Sequence, residues 1–173
     1  GLIQGRIDES YLTDEGYKQA KLTGNILNEI KFDQIYSSPL QRAAETAKEI
    51  EKCFNEKFDI NYDKNLLEID LQKWSGLTSD DIKSKYKDSY LVWKNDPEKL
   101  VLKNKDNKTY KPMQDLFGQA KNFIEDLKEE NKNKKNINIL IIAHNAILRC
   151  LILHLLNKPN KAFRKIRLDN ASI

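Results

Sequence analysis

FDQIYSSPLQRAAETAKEI, residues 32–50, contains the transition on which the fold turns. Residues 32–38 are a short run rich in β-formers, which predicts a buried strand. Ser38 then reads as an N-cap, Pro39 as the first helical position and Gln41 as the partner that completes a capping box. The helix so opened is expected to run to about Asn55. A strand feeding directly into a helix is the repeating unit of α/β folds.

The same alternation extends outward. Thr13-Asp14-Glu15 predicts a cap with acids in the first turn, and an apolar face follows from Ala20 to about Ile30. FDINYDKNLLEI (58–69) reads as a strand followed by a less regular segment. Thr78 predicts a cap for a short helix to about Asp88, whereas residues 94–112 are polar and hold Pro97 and Pro112 without a clear pattern. A helix is expected from about Met113 to Asn131, then a strand at NINILIIA, a helix from Asn145 to Leu156, one turn near Pro159–Phe163 and a final strand within KIRLDNASI. No repeat or linker divides the chain, and 173 residues suffice to bury a sizeable core.

Composition narrows the functional classes. The net charge is +4, carried by 25 lysines and 5 arginines. No basic stripe alternates with exposed aromatics, so no nucleic-acid partner is expected. No apolar stretch reaches the roughly 20 residues of a spanning helix, so no membrane partner is expected either. Cys53 and Cys150 lack metal-ligand spacing and read as two buried thiols in a reducing, cytoplasmic setting. A mild positive field suits an anionic substrate.

Three residues stand out against this background. Arg42 falls in the first turn of its helix, where free N–H groups disfavour a cation by roughly 0.3–1 kcal/mol. A bound anion would reverse that sign; an i,i+3 pair with Glu45 is the alternative. His144 ends an apolar strand and opens a helix, the place where ligands bind in open α/β sheets, though a histidine bonded within the core edge fits equally. Glu68 sits where a strand gives way to a loop, so it is either a shielded acid that holds a proton near neutral pH or an ordinary surface carboxylate. Cation, imidazole and carboxyl together suit phosphoryl transfer, which depends on positioning and charge stabilisation. His154 lies on a helix apolar nearly all round and reads as structural.

These stretches resemble the histidine phosphatase superfamily in its phosphoglycerate-mutase-like branch. The most specific is YSSPLQRAAETA. GLIQGRIDESYLTDEGYKQA is similar to the stretch that follows the family's catalytic loop, LLEIDLQKWSGLT to the segment with the acidic catalyst, and IIAHNAILR to the one with the second active-site histidine. The resemblance implies a three-layer α/β/α fold with a mostly parallel sheet, residues 1–173 as one such domain, and residues 79–112 as a variable substrate cap. It implies Arg42 and His144 as clamps on the phosphoryl group and Glu68 as the acid that serves the leaving oxygen and then water. Gln4, Gly5, Arg6 and Asn145 are implied near the phosphate or the cleft entrance, with Asn145 where many members have Gly.

The nucleophilic histidine of the family's Arg-His-Gly tripeptide belongs about ten residues ahead of Gln4-Gly5, at the end of the first, central strand. Neither tripeptide nor strand is contained in residues 1–173, and the ending LDNASI reads as a strand cut short. The expected activity is therefore a metal- and cofactor-independent phosphomonoester hydrolase acting through a phosphohistidine on a small phosphorylated metabolite. A phosphoglycerate mutase is the alternative, disfavoured because Trp74-Ser75-Gly76-Leu77-Thr78 follows Glu68 without an insert. A non-catalytic relative that binds phospho-ligands is the third reading. A dimer is compatible with the sequence, which does not decide oligomeric state.

Overall fold

The computed structural model describes all residues from Gly1 to Ile173. Three parallel strands make the main sheet: β1 (Gln34–Ser37), β2 (Ile60–Tyr62) and β5 (Ile139–Ile142), in the order β2-β1-β5. Ile35 pairs with Ile60 on one side and with Leu140 on the other. Alternation along β1 sends successive side chains to opposite faces. Ile35, with Leu140 and Ile142 of β5, packs under α1 (Asp14–Leu27) and α2 (Gln41–Glu51), against Ala20, Leu27, Ala43, Ala47 and Ile50. Tyr36 points the other way, as do Ile139 and Ile141, into a larger core built on α5 (Pro112–Glu130) and α6 (Asn145–Leu155). A parallel sheet between two helical layers is the expected α/β/α architecture.

Between β2 and α5 the chain forms three short 3-10 turns, α3 (Ser79–Lys85), α4 (Lys87–Asn95) and a hairpin of β3 (Leu102–Lys103) and β4 (Thr109–Tyr110). Thr78 does cap α3, in a reciprocal box with Asp81. This region is anchored by Trp74, which is 1% exposed and meets Trp93 edge-on. Two arginines without a sequence assignment complete the joint: Arg149 lies over the Phe163 ring, while Arg164 covers the Trp93 ring and donates to the Trp93 carbonyl. Each guanidinium thus substitutes packing and cation–π contact for an ion pair.

Four sequence expectations change. α2 opens at Gln41 rather than Pro39 and ends at Glu51, short of Asn55. The predicted box does not form, because Gln41 Nε2 turns to Glu45 and the Gln41 N–H is taken by Asp8 Oδ1 at 2.6 Å. Cys53 is only partly buried, beyond the end of α2, whereas Cys150 is buried and its thiol is pushed up by burial. Residues 166–173 form no strand; side chains hold their carbonyls instead, Asn145 Nδ2 on Leu168 and Thr23 Oγ1 on Ala171. The most apolar strand, β5, is an edge: one side pairs with β1, and Ile139–Ile141 are partly exposed.

Candidate active site

Arg42, Glu68 and His144 meet where β1 and β5 end. The Ser38 N–H extends the ladder by one bond to the Ile142 carbonyl, at 2.9 Å, which sets Ser38 beside the residue that opens α6. His144 is the N-cap residue of α6, with extended backbone, but its ring does not cap the helix. It turns inward instead. His144 Nε2 and Ser38 Oγ share a hydrogen bond of 2.7 Å, with the imidazole 7% and the serine 0% exposed. Burial, assisted by the charge of Arg42, holds the imidazole pKa down to about 3, so the ring is neutral at physiological pH and available as a hydrogen-bonding group.

That depression has a stability consequence. Between roughly pH 6.5 and pH 3 the unfolded chain protonates this imidazole and the folded one does not. The stability it contributes is complete above about pH 6.5 and is lost as pH falls. Urea unfolding of the wild type and His144→Asn from about pH 6 to about pH 4 should reveal it: the difference in unfolding free energy is expected to tilt by up to about 1.4 kcal/mol per pH unit. Glu68, raised rather than lowered, tilts stability the opposite way but is common to both proteins and cancels. A parallel pair of curves would refute a buried neutral His144.

Arg42 does not pair with Glu45. Its Nη1 donates to the Ile7 carbonyl at 2.9 Å and its Nη2 to the Gly5 carbonyl at 2.8 Å. Glu45 is occupied elsewhere, accepting the Leu12 N–H at 3.0 Å. Carbonyls carry no net charge, so the guanidinium keeps its full positive charge and free donor capacity. Burial lowers its pKa from the ordinary arginine value, while Glu68 and Asp8 raise it. Gly5 must be glycine for two reasons: its φ is +52°, and a Cβ would lie 2.5 Å from Ser75 Oγ.

Glu68 is placed by backbone on both sides. Its Oε1 accepts the Ile69 N–H at 2.8 Å and its Oε2 the Ala146 N–H at 3.3 Å. The second bond brings the carboxyl to the first turn of α6, two residues from His144. Burial raises its pKa, and those N–H donors and Arg42 oppose the rise. The net rise favours the protonated carboxyl, the form a general acid needs.

The remaining predicted residues are placed differently. Gln4 is exposed and donates to Ser10 Oγ at 3.1 Å. Asn145 is exposed and its amide is committed to the Leu168 carbonyl. The Arg6 guanidinium donates Nε to the Glu68 carbonyl at 2.8 Å and Nη2 to Gln119 Oε1 at 2.6 Å. Sequence reasoning missed Ser38, whose hydroxyl it assigned to a helix cap, and Gln119, which carries no motif. The only early sign for Ser38 was its position at the end of a predicted strand.

Known proteins resemble this chain along its whole length. Residues 1–173 match the family model described as histidine phosphatase superfamily (branch 1). The chain is 28% identical over 172 residues to phosphoserine phosphatase 1 of Hydrogenobacter thermophilus, covering 99% of this chain and 76% of that protein. It is 30% identical over 171 residues to 2-carboxy-D-arabinitol-1-phosphatase of Triticum aestivum, covering 98% of this chain but only 32% of that longer protein. Among solved structures, the alpha-ribazole phosphatase of Shigella flexneri superposes with a TM-score of 0.82 at 25% identity, over 99% of this chain and 79% of that one.

Proposed function

Because the chain belongs to the histidine phosphatase superfamily, branch 1, we propose that it is the greater part of a metal-independent phosphomonoesterase acting on a small phosphorylated metabolite. The observation that carries this reading is the Glu68–Ala146 hydrogen bond. It brings a buried carboxyl, its pKa raised by that burial, against the turn that presents His144, within the field of Arg42. A phosphoryl group seated there meets a full positive charge and a neutral imidazole, both suited to developing negative charge.

In this reading a histidine nucleophile attacks phosphorus in line. A P–N bond forms and the P–O ester bond breaks, while Glu68 gives its proton to the departing oxygen. The resulting Glu68 carboxylate then takes a proton from water, which attacks phosphorus and breaks the P–N bond. Arg42 and His144 hold the equatorial oxygens throughout. The two histidines of residues 1–173 are His144 and His154. His144 is bound to Ser38 and His154 lies near the end of α6, so the nucleophile in this proposal belongs to an Arg-His-Gly segment ahead of Gln4. The unpaired edge of β5 is where a strand leading to that segment would dock. Residues 79–112 would frame the entrance.

The test uses the full-length protein. It should release phosphate from p-nitrophenyl phosphate in the presence of EDTA and yield an acid-labile, base-stable phosphoprotein on quenching. With 3-phosphoglycerate it should give free phosphate and not the 2-isomer. If no phosphomonoester is turned over and His144→Ala binds inorganic phosphate as tightly as the wild type, the proposal is wrong.

A further inference from the structure

Beside the Arg42–Glu68–His144 cluster lies a cleft of about 440 Å3, lined by Arg6, Asp70, Asp115 and Gln119 together with Tyr110 and Pro112. The Glu68 backbone separates cleft from cluster. Arg6 spans the two, with Nε on the Glu68 carbonyl and its guanidinium in the cleft wall. The cleft opens at the same end of the sheet as the cluster. α5 enters β5 through a short connection, so its first turns lie toward the end where the strands finish. Gln119 of α5 holds that position by directing its amide at the Asn65 and Leu67 carbonyls, just beyond β2.

The charges in the cleft are unequal. Arg6 supplies one cation, with Nε and Nη2 already engaged and Nη1 free for a ligand. Asp70 and Asp115 supply two carboxylates. Both line the same cleft as Arg6 and Tyr110, and the Tyr110 pKa is raised by burial and then by Asp70 and Asp115, with Arg6 opposing. Tyr110 itself donates to the Asp70 carbonyl at 3.1 Å. The Asp70 oxygens accept from Gln72, which leaves each a further lone pair, and Asp115 is exposed. A second phosphate placed here would face two carboxylates, whereas a cation would meet both.

Building on the phosphatase reading, we propose that this cleft receives the alcohol portion of the substrate, and that the substrate is the phosphate monoester of a small amino-bearing alcohol. Its ammonium group lodges between Asp70 and Asp115, and a carboxylate or hydroxyl on the same carbon skeleton meets the free Nη1 of Arg6. Because Arg6 also grips the carbonyl of Glu68, a ligand that engages Arg6 steadies the acid that must protonate its ester oxygen.

The experiment compares kcat/KM of the full-length protein for O-phospho-L-serine, its N-acetyl derivative and 3-phosphoglycerate. The ammonium-bearing ester is expected to lead by about tenfold or more, the scale of one charged hydrogen bond, and N-acetylation should remove the lead. Asp115→Asn should shrink the phosphoserine to 3-phosphoglycerate ratio by about tenfold, and Asp115→Lys should invert it. Gly118→Leu gives an independent probe. A Cβ on Gly118 meets nothing within 4 Å, so the side chain fits the helix yet narrows the cleft, and KM for phosphoserine should rise. Equal or better use of 3-phosphoglycerate by the wild type, or indifference to N-acetylation, overturns the proposal while leaving the phosphatase reading intact. If no ester is hydrolysed the phosphatase reading fails, and calorimetry then decides the cleft. Phosphoserine binding that Asp115→Asn weakens about tenfold sustains it, and equal binding of 3-phosphoglycerate removes it.

Discussion

Glu68→Gln is expected to lower kcat on an alkyl phosphate by roughly 10²–10⁴-fold, the usual contribution of a positioned general acid. The loss should be much smaller on p-nitrophenyl phosphate, whose leaving group departs without a proton. That contrast separates loss of the proton donor from damage to the site. The pH profile supplies a second check: because burial raises the Glu68 pKa, wild-type activity should persist above the ordinary carboxyl range, and the limb set by this group should vanish in the variant. Glutamine is not a silent replacement here. Both Glu68 oxygens accept backbone N–H groups, whereas an amide offers one acceptor and turns its NH2 toward the other donor. The variant should therefore unfold about 1–3 kcal/mol more easily in urea, the cost of leaving a buried donor unmet. Equal kcat losses on both substrates would remove Glu68 from the role of acid.

Arg42→Ala is expected to cost roughly 10²–10³-fold in kcat/KM, as removal of a preorganised donor at a developing charge does. The effect should appear both in turnover and in the affinity for inorganic phosphate. Two further readouts follow from its contacts. Loss of the bonds to the Gly5 and Ile7 carbonyls frees the segment that carries Arg6, so stability should fall by about 2–4 kcal/mol. Arg42 also helps hold the His144 pKa down, and its removal should let the imidazole titrate at a higher pH, visible by NMR. Arg42→Lys should restore the charge effect on His144 but not the activity, because one ammonium cannot span both carbonyls and a phosphate as the guanidinium fork does. A lysine variant with near wild-type turnover would mean that Arg42 acts as charge alone.

Much of the framework was legible in local pattern. The β1–α2 unit, the apolar run of β5, the long amphipathic α5 and the Thr78 cap all depend on residues within a few positions of one another. Their period and caps report directly on which face is buried and where a helix begins. Arg42, Glu68 and His144 were legible for a related reason, since each sits at a strand end or helix start, where its chemistry is at odds with a purely structural role.

The partners of the polar side chains were not legible, for one reason. Ser38 has the chemistry and spacing of a helix cap, yet its hydroxyl bonds His144, 106 residues away. The hydroxyl still accepts the local Leu40 N–H at 3.3 Å, but the N–H of Gln41 goes to Asp8. Gln4, Arg6 and Asn145 lie in the expected segments, but their side chains bond Ser10, Glu68 and Gln119, and Leu168. Backbone location follows from local pattern, whereas the direction of a long polar side chain follows from whichever unsatisfied group is nearest in space.

By itself, then, the sequence determined the main strands and helices, the alternation that sandwiches a parallel sheet between them, and Arg42, Glu68 and His144 as residues at element ends. These are consequences of periodicity and of residue chemistry at element ends, and they need no knowledge of what lies across the fold. Only the tertiary structure decided that Arg42 rests on neutral carbonyls and keeps its charge, that His144 is buried and neutral, and that Glu68 is raised by burial while tied to the start of α6. Charge state depends on desolvation and on neighbours brought from distant parts of the chain, and those are settled only when the chain has folded.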